Sequence, residues 1–274
     1  MKNLKLQKLL FYGLLFVMTA IYLGPFLFSL SISFNAEQDV FSWPIKLLPE
    51  EWTLDNYQRV WQDLPFGTWL LNSVTITVIQ TICNVFFASL AGFAFARLDF
   101  PGKNIIFSLL LASLMIPGIV LLVPKFIILN EFHLINTYGG LILPGLVSVV
   151  NIFLMKQFFE TIPKDLEEAA LIDGCSYFRI FWQIFLPVSK PALAAVAIYT
   201  FQGSWNEFMW PVIVTTTRDM FTLPVGMAFL KNEFSVQWPL LMAGTILISL
   251  PTIAIFLIFQ RYFVQGVASA GLKE

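Results

Sequence analysis

Long apolar runs separated by short polar loops dominate this sequence. A helix needs about 20 apolar residues to cross roughly 30 Å of hydrocarbon, and six segments reach about that length. These segments are residues 9–34, 69–96, 105–123, 138–155, 191–215 and 239–259. Pro117-Gly118 and Pro144-Gly145 predict kinks in the third and fourth segments, because proline removes a helical hydrogen bond. We therefore predict an all-α, polytopic membrane protein in which residues 1–274 form a single transmembrane domain with six helices.

The lysine and arginine residues lie mostly on one side of such a domain. With six spans, the two ends of the chain and the loops after the second and fourth segments carry 11 of the 16 basic residues. Loops rich in Lys and Arg remain in the cytoplasm. Both termini are therefore predicted to be cytoplasmic, as an even number of spans requires.

The composition agrees with a membrane location and excludes some classes of partner. Hydrophobic residues make up 58% of the 274 residues and charged residues 12%, whereas a soluble domain has about 25% charged residues. The surplus apolar surface must face membrane lipid. The net charge of −1 gives no field that would attract nucleic acid. Cys83 and Cys175 lack metal-ligand spacing, so we expect neither a metal site nor a disulfide.

The longest predicted cytoplasmic loop, residues 157–190, has the pattern of two short helices joined by a turn. Asp165 can cap the first helix, and Glu168 stands at the capping-box spacing three residues later. Asp173-Gly174 then supplies a turn of the kind that ends a helix. The loop is therefore predicted to be a compact helical unit on the cytoplasmic side.

Small side chains distinguish the first of these two helices. Ala169 and Ala170 are expected to expose a surface without bulk, beside the carboxylates of Glu167 and Glu168. Such a surface can enter a groove on a partner protein. The alternative is an amphipathic helix that lies on the bilayer surface, and local physics favours neither interpretation.

The 157–190 loop closely resembles the EAA loop of ATP-binding-cassette (ABC) importer permeases. The pattern is Glu-Ala-Ala, three residues, Gly, nine residues, Ile, one residue and then Leu-Pro. It is met at Glu168, Ala169, Ala170, Gly174, Ile184, Leu186 and Pro187. Further runs resemble the second permease subunit of maltose-type carbohydrate importers, so that the resemblance covers nearly the whole chain. These runs are Trp52–Tyr57, Asn72-Ser73, Asn136–Tyr138, Ser204–Phe208 and Phe263–Gly266.

The resemblance implies a permease subunit of an ABC importer in the bacterial inner (plasma) membrane. This subunit would form half of the pathway that takes up a sugar or a sugar-like solute. The implied partners are a second permease subunit, a cytoplasmic dimer of ABC ATPases and an extracytoplasmic solute-binding protein. The chain itself would not be an enzyme and would bind no cofactor, because ATP would be hydrolysed by the ATPase subunits.

The resemblance also implies where two of these partners bind. The EAA loop would sit in a cleft of the ATPase, with the contact residues Glu167, Glu168, Ala169, Ala170, Asp173 and Gly174. Residues 216–238 match the position at which the second subunit of maltose-type importers reaches into its binding protein. We therefore expect contacts at opposite sides of the membrane.

Glu207 is the one clear charge at predicted membrane depth, where charged residues are functional candidates by default. Trp205 and Asn206 beside it offer a stacking face and a hydrogen-bonding group for sugar hydroxyls. Asn84 and Asn151 are further polar candidates for the substrate path. Glu207 can instead hold two helices together, and we favour this structural role because the run is general in the resembling family.

Three other function classes fit the sequence less well. A secondary transporter would show inverted repeats or several ionisable residues within the membrane. A membrane enzyme would need a catalytic set of side chains, and His133 stands alone. An ABC permease for glycerol-3-phosphate, amino acids or peptides would share the EAA loop, and fold-level analogy does not fix a ligand.

Overall fold

A computed structural model describes the backbone of residues 2–36, 48–233 and 237–271, and the side chains of residues 7–36, 48–230 and 237–259. Its α-helices are α1 (Lys2–Ile32), α2 (Asp55–Gln62), α3 (Phe66–Arg97), α4 (Lys103–Ser113), α5 (Leu122–Glu131), α6 (Tyr138–Ile142), α7 (Val149–Glu160), α8 (Lys164–Ile172), α9 (Tyr177–Ile180), α10 (Leu186–Val188), α11 (Lys190–Trp205), α12 (Met209–Val214), α13 (Leu223–Glu233) and α14 (Trp238–Gly271). Short 3₁₀ segments are Gly118–Leu121, Leu143–Gly145 and Arg218–Met220, and a π-helical segment is Phe181–Phe185. The described ranges contain no β-strand, which confirms the predicted all-α fold.

Several helices are long and apolar enough to cross a membrane. Four stretches meet this condition: Gln7–Ile32, Phe66–Arg97, Tyr138–Glu160 and Trp238–Phe259. Two further candidates are bent pairs: Lys103–Ser113 with Gly118–Glu131 at 95°, and Tyr177–Val188 with Lys190–Trp205 at 80°. The described residues thus hold four spans, or six when each bent pair counts as one, as expected of a polytopic membrane protein. The cytoplasmic location of both termini stays a prediction.

Helix breaks are present at both predicted Pro-Gly kinks. After α4 ends at Ser113, the chain turns and Pro117 stands just before the 3₁₀ segment that leads into α5. Pro144 lies within the 3₁₀ segment that separates α6 from α7. Because proline lacks the N–H group that a helix requires, both positions interrupt the regular hydrogen-bond ladder.

The fifth predicted segment, residues 191–215, differs from the expected continuous helix. The chain breaks between Trp205, where α11 ends, and Met209, where α12 begins. Pro211 explains the break, since its nitrogen cannot donate a hydrogen bond. In a continuous helix its ring would also clash with the carbonyl group of Glu207, four residues earlier.

Contacts divide the chain, which the sequence predicts to be one domain, into two compact units. The first unit comprises Met1–Gly67 and Gly226–Leu250, and the second comprises Thr68–Val225 and Pro251–Glu274. All predicted ATPase-contact and substrate-path residues belong to the second unit.

In the first unit, hydrogen bonds join the end of α1 to α2. Asn56 Nδ2 donates to the carbonyl oxygens of Ser33 (3.0 Å) and Asn35 (2.9 Å). The hydroxyl groups of Ser33 and Tyr57 lie 2.7 Å apart. The most apolar stretch of α1 is entirely unburied within the chain, as a helix in contact with lipid requires.

In the second unit, aromatic side chains pack α3 and α7 against the π-helical segment. The ring of Phe185 lies 4.9 Å from that of Phe93 and 5.6 Å from that of Phe159, measured between centroids. All three side chains are buried. The two long helices approach closely at Gly92, where a Cβ atom would lie 2.7 Å from Met155 Cβ. This core fixes the π-helical segment against two membrane spans.

Candidate functional site

The first helix of the 157–190 loop, α8, begins without the predicted side-chain cap. Its first residue is Lys164, and the N-cap position is Pro163 in an extended conformation (φ −56°, ψ 137°) with no side-chain hydrogen bond. The predicted capping box of Asp165 and Glu168 is therefore wrong, because both residues lie inside the helix. Asp165 stands instead in the first turn, where a negative charge is stabilised by the helix dipole.

The end of α8 has the predicted turn. Asp173 is the C-cap residue, and Gly174 follows with φ +75°, a left-handed conformation that glycine adopts without strain. The Gly174 N–H donates to the carbonyl of Leu171 (3.0 Å), and the Cys175 N–H donates to that of Ala170 (2.9 Å). These two bonds form a Schellman motif, which explains the glycine at this position.

The six predicted ATPase-contact residues do not share one surface. Four of them are exposed within the chain: Glu168, Ala169, Asp173 and Gly174. Glu167 and Ala170, by contrast, are only 8% and 7% exposed. These two lie three residues apart and therefore on one face of the helix, which packs on the chain's own core. The predicted exposed pair of alanines is thus reduced to Ala169.

Arg97, the last residue of α3, contacts the buried side of α8. Its Nη1 atom lies 3.6 Å from Glu167 Oε2, and the two side chains are 4% and 11% exposed. Its Nη2 donates to the carbonyl of Phe159 (2.5 Å) and also to that of Ile162. The guanidinium carbon lies 5.0 Å from the centroid of the Phe185 ring. The sequence pattern indicated this arginine only as a loop charge, and it missed these contacts.

A cavity of about 330 Å³ lies in the second unit. Three of the five predicted substrate-path residues line it, namely Asn84, Asn151 and Glu207. The other two lie outside its wall. Trp205 is only 2% exposed, and Asn206 is the C-cap residue of α11, with its Nδ2 hydrogen-bonded to a carbonyl of the same helix (2.8 Å).

Asn84 and Asn151 form a hydrogen-bonded pair on the cavity wall. Asn151 Nδ2 donates to Asn84 Oδ1 (3.0 Å) and to Thr200 Oγ1 (2.8 Å). Asn84 Nδ2 in turn donates to the carbonyl oxygen of Gly145 (2.7 Å). Asn151 Oδ1 is buried and accepts no hydrogen bond from the described residues. An amide oxygen is an acceptor with two lone pairs, so this buried atom has hydrogen-bonding capacity that the described residues do not use.

Gln80 belongs to the same polar wall, although it was not among the predicted residues. Its Nε2 donates to the carbonyl oxygens of Leu141 (3.1 Å) and Ile142 (3.2 Å). Both carbonyls belong to the end of α6, and a helix end leaves carbonyl groups without intrahelical partners. The available signal was spacing, since Gln80 precedes Asn84 by four residues and shares its face of α3.

Glu207 has a structural contact as well as a place on the cavity wall. Its Oε1 accepts a hydrogen bond from the N–H of Trp210 (3.1 Å) in the first turn of α12. This bond satisfies one of the N–H groups that a helix start leaves free. Trp210 is held further by its Nε1, which donates to the carbonyl of Gly140 (3.0 Å). Lys125 lines the same cavity, so that the wall carries one cation and one carboxylate.

Residues 216–223, the start of the predicted receptor-contact region, are held by the first turns of α3. Asn72 Nδ2 donates to the carbonyl oxygens of Asp219 (2.7 Å) and Phe221 (2.9 Å). Trp69 Nε1 donates to another carbonyl of the same segment (2.9 Å). The segment is therefore fixed to a membrane span by side chains that bind its backbone.

Asn136 fixes the first residues of the 216–223 segment. Its Oδ1 accepts hydrogen bonds from the N–H groups of Thr216 (2.9 Å) and Thr217 (3.2 Å). Its own N–H donates to the carbonyl of Val214 (2.8 Å). The backbone of Asn136 has φ +57°, a left-handed conformation that asparagine tolerates better than most residues.

The sequence matches a known family over most of its length. The family model described as "Binding-protein-dependent transport system inner membrane component" matches residues 84–269. Similar curated proteins include the arabinooligosaccharides transport system permease protein AraQ of Halalkalibacterium halodurans, with 39% identity over 82% of this chain and 81% of that protein. The diacetylchitobiose uptake system permease protein NgcG of Streptomyces coelicolor is 34% identical over 96% and 88%. The sn-glycerol-3-phosphate transport system permease protein UgpE of Yersinia pestis is 34% identical over 89% and 91%.

Two solved structures share the fold. One is a bacterial ABC transporter involved in the import of the acidic polysaccharide alginate, whose matching chain has a TM-score of 0.84 and 22% identity. The match covers 94% of this chain and 97% of that chain. The other is a bacterial alginate ABC transporter in complex with a periplasmic protein that carries an alginate pentasaccharide, with a TM-score of 0.61 and 17% identity.

Proposed function

Because this chain belongs to the family of binding-protein-dependent transport system inner membrane components, we propose that it forms half of the pathway of an ABC importer for a sugar or sugar-like solute. It is a multi-pass inner membrane permease. The names of two relatives refer to arabinooligosaccharides and diacetylchitobiose, and a chain of similar fold belongs to an alginate importer. These names support a carbohydrate as the solute.

The observation that carries the choice of solute is the hydrogen-bonding wall of the cavity, on which the one cation, Lys125, and the one carboxylate, Glu207, balance in charge. Asn84 and Asn151 supply amide groups, and the buried amide oxygen of Asn151 accepts no hydrogen bond from the described residues. Tyr199 and Trp210 line the same cavity and add aromatic surfaces with polar tips. A few placed polar groups among apolar and aromatic ones are typical of small-molecule sites. We propose that the two asparagines and Glu207 contact the solute.

A second candidate solute is glycerol-3-phosphate. The name of one relative refers to it, and Lys125 on the cavity wall is a cation of the kind that binds phosphate. The carboxylate of Glu207 on the same wall repels an anion, which favours the neutral sugar. The two candidates differ in charge, so that uptake measurements separate them directly.

We propose that the exposed end of α8 contacts a cytoplasmic ABC ATPase through Glu168, Ala169, Asp173 and Gly174. All four are exposed within the chain, and Ile172 at the same helix end is 87% exposed. An isoleucine gains about 1.5–3 kcal/mol when a partner buries it fully. ATP is hydrolysed by that partner, so that this chain needs no cofactor of its own.

Transport then follows from linkage between two conformations of the permease. The ATPase dimer must bind one conformation preferentially, and the solute-binding protein must also discriminate between them. We propose that the binding protein contacts the region that begins with residues 216–223, and that a second permease subunit completes the pathway. A transporter of similar fold has been solved with a periplasmic protein bound, which supports the first of these contacts.

The test is reconstitution of the complete transporter in proteoliposomes. The complex would contain this chain with its second permease subunit, its ATPase and its solute-binding protein. We expect ATP-dependent uptake of a labelled oligosaccharide from a panel that also includes glycerol-3-phosphate. Uptake by this chain without the ATPase, or no uptake of any panel member in the presence of ATP, would overturn the proposal.

A further inference from the structure

Arg97 joins three elements that lie far apart in the sequence. It ends α3, donates to one carbonyl group in the last turn of α7 and to another just after α7, and forms an ion pair with α8. We propose that Arg97 is a positioning residue that makes α8 and α3 move as one body during transport. This inference rests on the proposed function, in which α8 receives its motion from the ATPase.

The geometry makes this junction stiff. The planar guanidinium group of Arg97 binds the carbonyls of Phe159 and Ile162 with one nitrogen and faces Glu167 with the other. Its guanidinium carbon lies over the ring of Phe185, 5.0 Å from the centroid. Both partners of the ion pair are almost fully buried. Breaking such a pair leaves an uncompensated buried charge, so sliding of α8 along α3 is strongly disfavoured.

The neighbouring pair of Asp99 and Lys103 shows the contrast. Its N–O distance of 3.5 Å is close to the 3.6 Å of the buried pair. The carboxylate of Asp99 is fully exposed, however, and Lys103 belongs to α4. Exposed pairs of this kind contribute little, because water and salt screen them. The chain thus offers a matched control for the buried pair.

α3 is suited to carry a displacement from Arg97 to the cavity. It has 32 residues without an internal proline, which corresponds to a rod of about 48 Å at 1.5 Å per residue. In its middle, Gln80 and Asn84 bind the broken span next to the cavity. Near its start, Asn72 binds the 216–223 segment. A movement of the Arg97 end of α3 therefore displaces both the cavity wall and the 216–223 segment.

The side-chain directions separate two roles within the EAA loop. Glu168 is exposed and can meet a partner, whereas Glu167 points to Arg97 and is 11% exposed. If the ion pair only stabilised the fold, its loss would reduce assembly of the complex. The amount of solute transported per ATP hydrolysed would not change. A positioning role changes the amount of solute moved per ATP.

The experiment measures solute transported per ATP hydrolysed in the reconstituted complex. We compare Glu167→Gln and Arg97→Lys with the control Asp99→Asn. For the first two we expect the ratio to fall by about 2- to 30-fold, the range of coupling contributions of single residues, with basal ATP hydrolysis retained. Lysine keeps the charge of Arg97 but lacks its planar fork. Arg97→Lys would therefore keep the wild-type ratio if only the charge mattered, and it lowers the ratio if the geometry of the junction matters. The control should keep the wild-type ratio.

The outcomes separate this inference from the proposed function. If the unsubstituted complex shows no ATP-driven uptake, the proposed function fails. If it transports, but Glu167→Gln and Arg97→Lys keep the wild-type ratio, only the positioning role of Arg97 fails. A fall of the ratio in Asp99→Asn to the same extent would also overturn it, since the effect would then not depend on the buried junction.

A second measurement applies if the substituted complexes do not assemble. Spin labels are placed at the exposed positions Asp99 and Lys164 of a chain whose two native cysteines are replaced by alanine, with Arg97 and Glu167 unchanged. We expect the distance between the labels to stay constant when ATP binds to a complex that transports. A shift of this distance would show that α8 moves independently of α3 and would overturn the proposal.

Discussion

Gly174 allows the cost of backbone strain to be separated from the cost of a blocked contact. Its φ of +75° requires the left-handed region, and a Cβ atom built there meets nothing within 4 Å in the chain. Gly174→Ala therefore costs only the conformational term, about 1–2 kcal/mol. This corresponds to a change of about 5- to 30-fold in the population of the Schellman end of α8.

Comparison of alanine with asparagine at position 174 distinguishes backbone strain from a blocked contact with a partner. Asparagine tolerates the left-handed region better than alanine, but it has a larger side chain. If strain alone matters, Gly174→Asn is the milder change. If a partner surface covers Gly174, Gly174→Asn is the more harmful one, because its side chain fills the contact. We expect Gly174→Asn to be the more harmful change.

Gly102 is the matched control, since it has φ +77° and an almost open Cβ position, 3.8 Å from the nearest atom of Ile106. The assay is ATP hydrolysis by the assembled complex in the presence of the solute-binding protein. We expect activity to decrease from wild type to Gly174→Ala to Gly174→Asn, and we expect the milder change at Gly102 to be the asparagine. Equal or higher activity of Gly174→Asn relative to Gly174→Ala would refute the contact.

Three further predictions concern packing, the cavity and the 216–223 segment. Gly92→Ala places a Cβ atom 2.7 Å from Met155 Cβ and should destabilise the chain by about 1–3 kcal/mol, measured as a lower midpoint of thermal unfolding in detergent. Asn151→Ala removes two hydrogen bonds between membrane helices, which average about 0.6 kcal/mol each, and should raise the KM for uptake. Asn136→Gly keeps the left-handed backbone but removes the acceptor for two N–H groups. It should lower ATP hydrolysis stimulated by the binding protein and leave the basal rate unchanged.

Each of these predictions has a control or a contrary result. Gly24→Ala is the control for Gly92→Ala, because its Cβ position in α1 meets nothing within 4 Å, and equal unfolding midpoints would contradict the packing argument. An unchanged KM in Asn151→Ala would remove this residue from the solute contact. Equal loss of basal and stimulated hydrolysis in Asn136→Gly would indicate general damage rather than a local effect on receptor contact.

The apolar pattern predicted the fold class well, because lipid imposes a single rule on every span. Residues 191–215 show the limit of this rule, since their apolar character is continuous while the helix breaks before Pro211. Hydropathy reflects the free energy of transferring side chains to lipid, and it contains no information on the backbone N–H group that Pro211 lacks. The proline itself was visible in the sequence and gave the better signal.

The local signals within the EAA loop had mixed success for a similar reason. Gly174 was predicted correctly because a left-handed C-terminal residue depends on the local chain alone. Asp165 was assigned as a cap, whereas the helix begins one residue before it. The burial of Glu167 and Ala170 depends on Arg97 and the aromatic core. Such contacts link residues about 70 positions apart, which a local pattern does not reveal.

The substrate-path residues illustrate the difference between neighbours in sequence and neighbours in space. Trp205, Asn206 and Glu207 are consecutive, yet only Glu207 lines the cavity. Trp205 is the last residue of α11 and Asn206 is its C-cap, whereas Glu207 lies in the break before α12. Asn84 and Asn151 were the weaker candidates, and they are the pair that the structure brings together.

The amide groups of Gln80 and Asn84 also bear on how the chain can enter the bilayer during synthesis. Carbonyl groups at the break between α6 and α7 receive hydrogen bonds from α3, and an unpaired carbonyl in hydrocarbon costs several kcal/mol. The donors stand on residues 66–97, which leave the ribosome before residues 138–160 do. The hydrogen-bond donors of α3 are thus synthesised first. Residues 138–160 can then enter the membrane with the helix break already formed, because donors for its free carbonyl groups are present.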